Sequence, residues 1–173
     1  LMIRRPPRST QSRSSAASDV YKRQVITREE IILKTVKSNI MENNIGYIRI
    51  SMFDEDTGSE FKKALKELTS KNMKGLILDL RQNPGGFINQ CVDVADELLD
   101  EGLVVYTEDK EKKREDYKSG KGKLEVPFVV LIDEGSASAS EIVSGAVKDR
   151  KAGLLIGVKT LSLIHISEPT RPY

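Results

Sequence analysis

The spacing of apolar residues changes several times along the chain, and each change marks an element. In residues 45–53, IGYIRISMF, apolar and polar positions alternate, which predicts a strand. Thr57 or Ser59 then opens a helix through about Asn72, with Phe61, Ala64, Leu65 and Leu68 on one face. Gly75 opens GLILDL, a short apolar run suited to a strand buried on both faces. The turn RQNPGG follows, and a second helix starts near Ile88 with Ile88, Val92, Ala95, Leu98 and Leu99 inward. Leu103–Thr107 is a further strand, and residues 108–126, dense in Lys, Glu and Asp, read as a solvated hairpin or loop, with a substrate-contacting flap as the alternative. PFVVLID at 127–133 is another buried strand, a helix runs from near Ser138 to about Asp149, and GLLIGV at 153–158 is the last strand. Strands alternating with helices predict an α/β domain.

Two turns carry the candidate chemistry. The first is Asp79-Leu80-Arg81-Gln82-Asn83-Pro84-Gly85-Gly86, at the carboxyl end of a strand, where α/β folds gather their sites. Paired glycines let a ligand approach the backbone and its N–H groups, which suits an oxyanion hole. The plainer alternative is a Pro-Gly turn in which Asp79 and Arg81 pair with each other or with backbone. The second runs from Asp133 to Ile142 and contains Ser136, Ser138 and Ser140. A serine at a strand-to-helix junction meets the free N–H groups and positive potential of a helix N-terminus. The same residues also spell a capping box, Ser138 to Glu141, so a purely structural role competes. Neither turn matches a nucleotide-binding glycine pattern.

Composition narrows the options. The chain has 173 residues, 38% apolar and 31% charged, enough for one domain with a core. Cys91 is its one cysteine and His165 its one histidine, which excludes an internal disulfide, a thiolate cluster and a histidine base in the central region. A serine nucleophile would need Lys, Asp or Glu as base, and Lys159 is the nearest lysine to an interesting position. No bound metal and no cofactor are expected.

The ends differ from the middle. Residues 1–24 are Arg- and Ser-rich without period, and residues 161–173, LSLIHISEPTRPY, break the preceding pattern. Both resemble sequencing-adapter DNA read as protein at the edges of metagenomic contigs, and both are expected to be non-native or disordered flanks. The flanks hold seven basic and two acidic residues, so without them the net charge is −3 rather than +2. The basic balance therefore argues for neither nucleic acid nor membrane binding.

Taken together, GYIRISMF, KGLILDLRQNPGG, PFVVLIDEGSASASEIVSGAVKDR and GVKT resemble the carboxy-terminal processing peptidases, also called tail-specific proteases. The resemblance covers essentially residues 25–160. It implies an α/β core of the ClpP/crotonase kind, incomplete here, and a serine peptidase with a Ser-Lys dyad. It maps the nucleophile to Ser138, the oxyanion donors to Ala139 and to Gly86 or Gly85, and supporting residues to Glu141, Asp149 and Thr160. It places the end of a PDZ domain and a linker strand at 25–38 and a partial protease core at 39–160. The substrates it implies are unstructured C-terminal segments of proteins. The location it implies is extracytoplasmic, with a membrane anchor in the parent protein but not here.

One departure matters. Family members continue Thr-Phe-Gly-Lys-Gly, whereas this chain has Leu161, Ser162 and Leu163 after Thr160. The lysine belongs at position 163; Lys159 lies four residues early, about 13 Å along a strand. The chain as written is expected to be inactive, with truncation as the explanation. Two other readings stay open. One is a catalytically silent peptide-binding module of the same fold. The other is crotonase-type chemistry on an acyl thioester, for which no residue asks.

Overall fold

The computed structural model describes residues 34–161, apart from Lys121 and Lys123. The two flanks lie outside the described residues, except Leu161. Seven strands are present among them: β1 (Val36–Met41), β2 (Ile45–Ile50), β3 (Gly75–Asp79), β4 (Gly102–Glu108), β5 (Arg114–Ser119), β6 (Phe128–Ile132) and β7 (Leu154–Gly157). The helices are α1 (Thr57–Ser70), α2 (Ile88–Leu98) and α3 (Ala139–Asp149).

Five strands form one sheet in the order β1-β2-β3-β6-β7. β1 joins β2 antiparallel, and the remaining pairs are parallel. β1 straddles the expected boundary between residues 38 and 39. β4 and β5 form a separate antiparallel hairpin, so part of the charged stretch 108–126 is strand.

Alternation places Ile48, Ile50, Leu76, Leu78, Phe128 and Val130 in the common core with the helices, each at most 5% exposed. Burying one such side chain contributes roughly 1.5–3 kcal/mol. This layer therefore fixes where β3 and β6 end, and with them the two turns.

The helices depart from the sequence reading in detail. Phe61, Ala64, Leu65 and Leu68 are the buried stripe of α1 as expected, but its N-cap is Asp56, not Thr57 or Ser59. The Thr57 hydroxyl is taken inward, sharing a 2.7 Å hydrogen bond with Thr35 and accepting Asp54 N–H at 2.9 Å. The Ser59 hydroxyl donates to the Asp56 carbonyl. In α2 the buried stripe is Cys91, Val94, Ala95 and Leu98, whereas Ile88 and Val92 are only half-buried. The helix presents a face turned from the one first assigned, because Cys91 and Val94 fill the space beneath it.

Candidate functional site

β3 and β6 are hydrogen-bonded neighbours, so the turns that follow them start side by side. Leu80 N–H continues the ladder to the Leu131 carbonyl at 2.9 Å. Side chains then sew the turns together. Asp133 accepts Gln82 N–H and Gln82 Nε2, both at 2.8 Å, and Gly135 N–H at 3.0 Å. The Ser136 hydroxyl donates to the Leu80 carbonyl at 2.8 Å and accepts Asp133 N–H at 3.0 Å. The Asn83 carbonyl accepts both Ala137 N–H and the Ser140 hydroxyl at 3.0 Å.

Two of the three alternating serines are therefore occupied in joining the turns. Ser138, between them, takes φ 51° and ψ −114°, a conformation that costs a non-glycine residue about 1–3 kcal/mol. Ser138 and Glu141 form a capping box at this strand-to-helix corner. Ser138 also opens α3, and Ala139 N–H makes no hydrogen bond within the described residues.

The paired glycines divide their work. Asn83 is fully buried and holds Gly85 N–H on its side-chain oxygen at 2.8 Å, while its amide nitrogen donates to the Ile50 carbonyl at 2.9 Å. Gly85 N–H, one of the two glycine donors expected from the sequence, is thus committed to Asn83. Gly86 N–H has no hydrogen-bond partner among the described residues. Phe53 brackets it, donating to the Gly85 carbonyl and accepting Phe87 N–H, both at 2.8 Å. Both glycines are required. A β-carbon on Gly85 would lie 2.7 Å from Ser138 Cβ, and one on Gly86 would lie 2.0 Å from the Phe53 carbonyl oxygen.

Glu141 ties the site to the last strand. One carboxylate oxygen accepts Ser138 N–H at 3.0 Å, the return arm of the capping box, and the other accepts the Thr160 hydroxyl at 2.7 Å. Leu161 N–H then bonds the Ser136 carbonyl at 3.2 Å. Ser138, Gly85, Ala139, Glu141 and Thr160 are therefore linked by bonds or close approach, and Gly86 follows Gly85 on the same turn. Asp149 is not among them. It is exposed at the far end of α3, about 15 Å along the axis from Ser138. Lys159 is exposed, and Leu163 lies outside the described residues.

Asp79 and Arg81 do pair with one another. Asp79 is fully buried and takes Arg81 Nε at 2.9 Å, Arg81 Nη2 at 2.7 Å, Arg81 N–H at 3.0 Å and the Tyr47 hydroxyl at 2.6 Å. Burial alone would raise the carboxyl, but the bonds from Arg81 and Tyr47 outweigh it and hold its pKa at about 2. Burial likewise works against Asp133, and its bonds from Gln82, Gly135 and Ser136 leave it below the usual carboxylate range. Sequence inspection missed the roles of Tyr47, Asn83 and Asp133. An Asn before Pro-Gly-Gly and an Asp closing the next strand were the available signals.

Among the described residues no group of three His, Cys, Asp or Glu side chains is placed to hold a metal ion. No helix among them is long and apolar enough to cross a membrane.

Comparison with known proteins finds carboxy-terminal processing proteases. The chain is 42% identical over 142 residues to the carboxy-terminal-processing protease of Bartonella bacilliformis, covering 78% of this chain and 32% of that protein. It is 39% identical over 137 residues to the carboxy-terminal processing protease CtpA of Bacillus subtilis, covering 78% of this chain and 29% of that one. Its structure superposes on the photosystem II D1 C-terminal processing protease with a TM-score of 0.67 and 32% identity, covering 78% of this chain and 39% of the other. These likenesses bear out the expected α/β peptidase core of the ClpP/crotonase kind. The chain spans about a third of the length of the curated relatives it matches. The model of peptidase family S41 matches residues 44–171, and with both turns inside that span the chain belongs to family S41.

Proposed function

We propose that this chain is the core segment of a serine endopeptidase that cuts protein substrates near their C-termini, with Ser138 as nucleophile. The observation that carries the reading is the strained Ser138 at the head of α3, flanked by the N–H of Ala139 and the turn bearing that of Gly86, neither of them bonded among the described residues. Ser138 Oγ attacks the scissile carbonyl carbon, forming the C–O bond while a base takes the hydroxyl proton. Ala139 and Gly86 N–H groups hold the oxyanion, each worth roughly 3–4 kcal/mol in such a site. The protonated base returns its proton to the leaving amine, and water hydrolyses the acyl-enzyme by the reverse sequence. Glu141, fixed by Thr160, orients Ser138 through its N–H. Asp149 acts at most on the far end of α3. No metal or cofactor enters any step.

The base is a lysine at position 163, supplied by the family pattern and replaced here by Leu163. The chain as written therefore binds without turnover. Names of relatives such as the chloroplastic C-terminal processing peptidase of Tetradesmus obliquus support a substrate class of C-terminal segments. An extracytoplasmic location and a PDZ domain before the core belong to the same reading.

The test is to replace Leu161-Ser162-Leu163-Ile164 by Phe-Gly-Lys-Gly, within the full-length protein, and to measure cleavage of an unstructured substrate. Turnover is expected, and Ser138→Ala abolishes it. Equal cleavage with and without the Ser138 hydroxyl overturns the assignment. Leu163 itself favours a second reading, a silent peptide-binding module; peptide capture without cleavage by the substituted protein would select it.

A further inference from the structure

The N–H groups of Gly86 and Ala139 stand on different turns, and a single buried residue, Asn83, is bonded to both. Its side-chain oxygen accepts Gly85 N–H at 2.8 Å, one residue before Gly86. Its carbonyl accepts Ala137 N–H and the Ser140 hydroxyl, both at 3.0 Å, one on each side of the Ser138–Ala139 step. Its amide nitrogen donates to the Ile50 carbonyl at 2.9 Å, at the end of β2. The two turns touch where these bonds converge: a β-carbon on Gly85 would lie 3.0 Å from Ala139 N. Held at both ends, the Asn83 amide cannot turn without leaving a buried group unbonded, which is costly.

We propose that Asn83 is a positioning residue for the oxyanion hole, setting Gly86 N–H against Ala139 N–H while touching no substrate atom itself. The inference rests on the assignment of Ser138, Gly86 and Ala139 above. Gly85 and Gly86 take φ +101° and φ +142°, where glycine moves freely, so the local backbone alone does not fix the peptide between them. Two bonds fix it instead. Phe53 N–H holds the Gly85 carbonyl at 2.8 Å, and Gly86 N–H, trans to that carbonyl in the same planar peptide, points away from Phe53. Asn83 holds the preceding peptide through Gly85 N–H. Without it that peptide is free to rotate about Gly85, and Gly86 moves with it. Oxyanion donors act most on a tetrahedral, charged species, so such a species reports their placement.

A peptide boronic acid, acetyl-Ala-Ala-boroalanine, tests this on the chain as it stands, because no leaving group has to be protonated. Ser138 Oγ adds to trigonal boron, one B–O bond forms, the serine proton passes to buffer, and the adduct is a tetrahedral anion. Boron NMR reads the adduct, and circular dichroism gives the folded fraction by which each affinity is corrected. Asn83→Ala is expected to weaken the corrected affinity at least about tenfold. Asn83→Asp carries the signature of positioning. Its protonated carboxyl accepts Gly85 N–H and donates to the Ile50 carbonyl as the amide did; ionised, it loses the donor and repels the anionic adduct. Burial raises that carboxyl. Relative to the unaltered chain at each pH, Asn83→Asp is therefore expected to bind within about twofold in acid and to fall away as the carboxyl ionises. A folded Asn83→Ala within about twofold of the unaltered chain overturns the role of Asn83 and leaves Ser138 standing. So does an Asn83→Asp whose relative affinity ignores pH, which decides the matter where Asn83→Ala does not fold. Absence of any adduct that Ser138→Ala removes overturns the Ser138 assignment, and this inference with it.

Discussion

Gly85 packs directly against Ser138, close enough that a β-carbon on the glycine would sit 2.7 Å from Ser138 Cβ and 3.0 Å from Ala139 N. Two residues 53 positions apart in sequence thus set the geometry of one site. Gly85 also takes φ +101°, which a side chain would strain. Gly85→Ala is expected to lower stability by about 1–3 kcal/mol. Gly145, inside α3, has nothing within 4 Å of a built β-carbon. Gly145→Ala should therefore raise stability by about 0.5–1 kcal/mol. Urea unfolding of both variants measures the contrast; loss of stability in both, or in neither, contradicts the packing described.

The Thr160–Glu141 bond, 2.7 Å, is the link between the end of the β7 segment and the head of α3. Thr160→Val removes a hydrogen bond to a charged acceptor and should cost about 1.5–3 kcal/mol. Thr160→Ser keeps the hydroxyl and should cost less than half as much. Equal losses for the two variants would show that packing of the Thr160 methyl, not the bond, matters.

Acid should release the Asp79 cluster. Its folded pKa of about 2 lies below the ordinary unfolded value near 3.9. A carboxyl depressed on folding contributes stability that is fully present above the unfolded value and is lost as pH falls through the folded one. The stability gap between the unaltered chain and Asp79→Asn should be constant above about pH 5 and narrow steadily towards about pH 2. Urea midpoints across that range measure it, and a gap that widens with acid would reverse the sign of the argument. Tyr47→Phe removes one of the bonds that lower Asp79 and should shift the narrowing to higher pH.

Cys91 should be silent to thiol reagents in the native protein. It is fully buried under α2, and burial, with a smaller push from Asp93, raises its thiol to about 12. A disulfide reagent at neutral pH is expected to label one thiol in denaturant and none before unfolding. Labelling at the same rate in both conditions would place Cys91 on the surface.

Much of this was legible in the linear chain. Apolar period separated strands from helices, and the stripe Phe61, Ala64, Leu65 and Leu68 was readable because it rests on local geometry alone. The pairing of DLRQNPGG with GSASASE marked both turns and the family, since each motif is contiguous. The face of α2 was misread because Ile88, Val92 and Cys91 are all plausible on an inward side, and only the space beneath the helix decides among them.

What the sequence by itself determined, then, is the order of elements, the two turns and the residue types that any site here must use. Tertiary structure alone decided how those types divide their labour. It made Ser136 and Ser140 fasteners and Ser138 the strained corner, and it committed Gly85 N–H to Asn83 while giving Gly86 N–H no partner among the described residues. The reason is physical: a hydrogen-bonding group takes its partners from what lies within reach, and that depends on which strand ends lie side by side. No local pattern in a single chain encodes that adjacency.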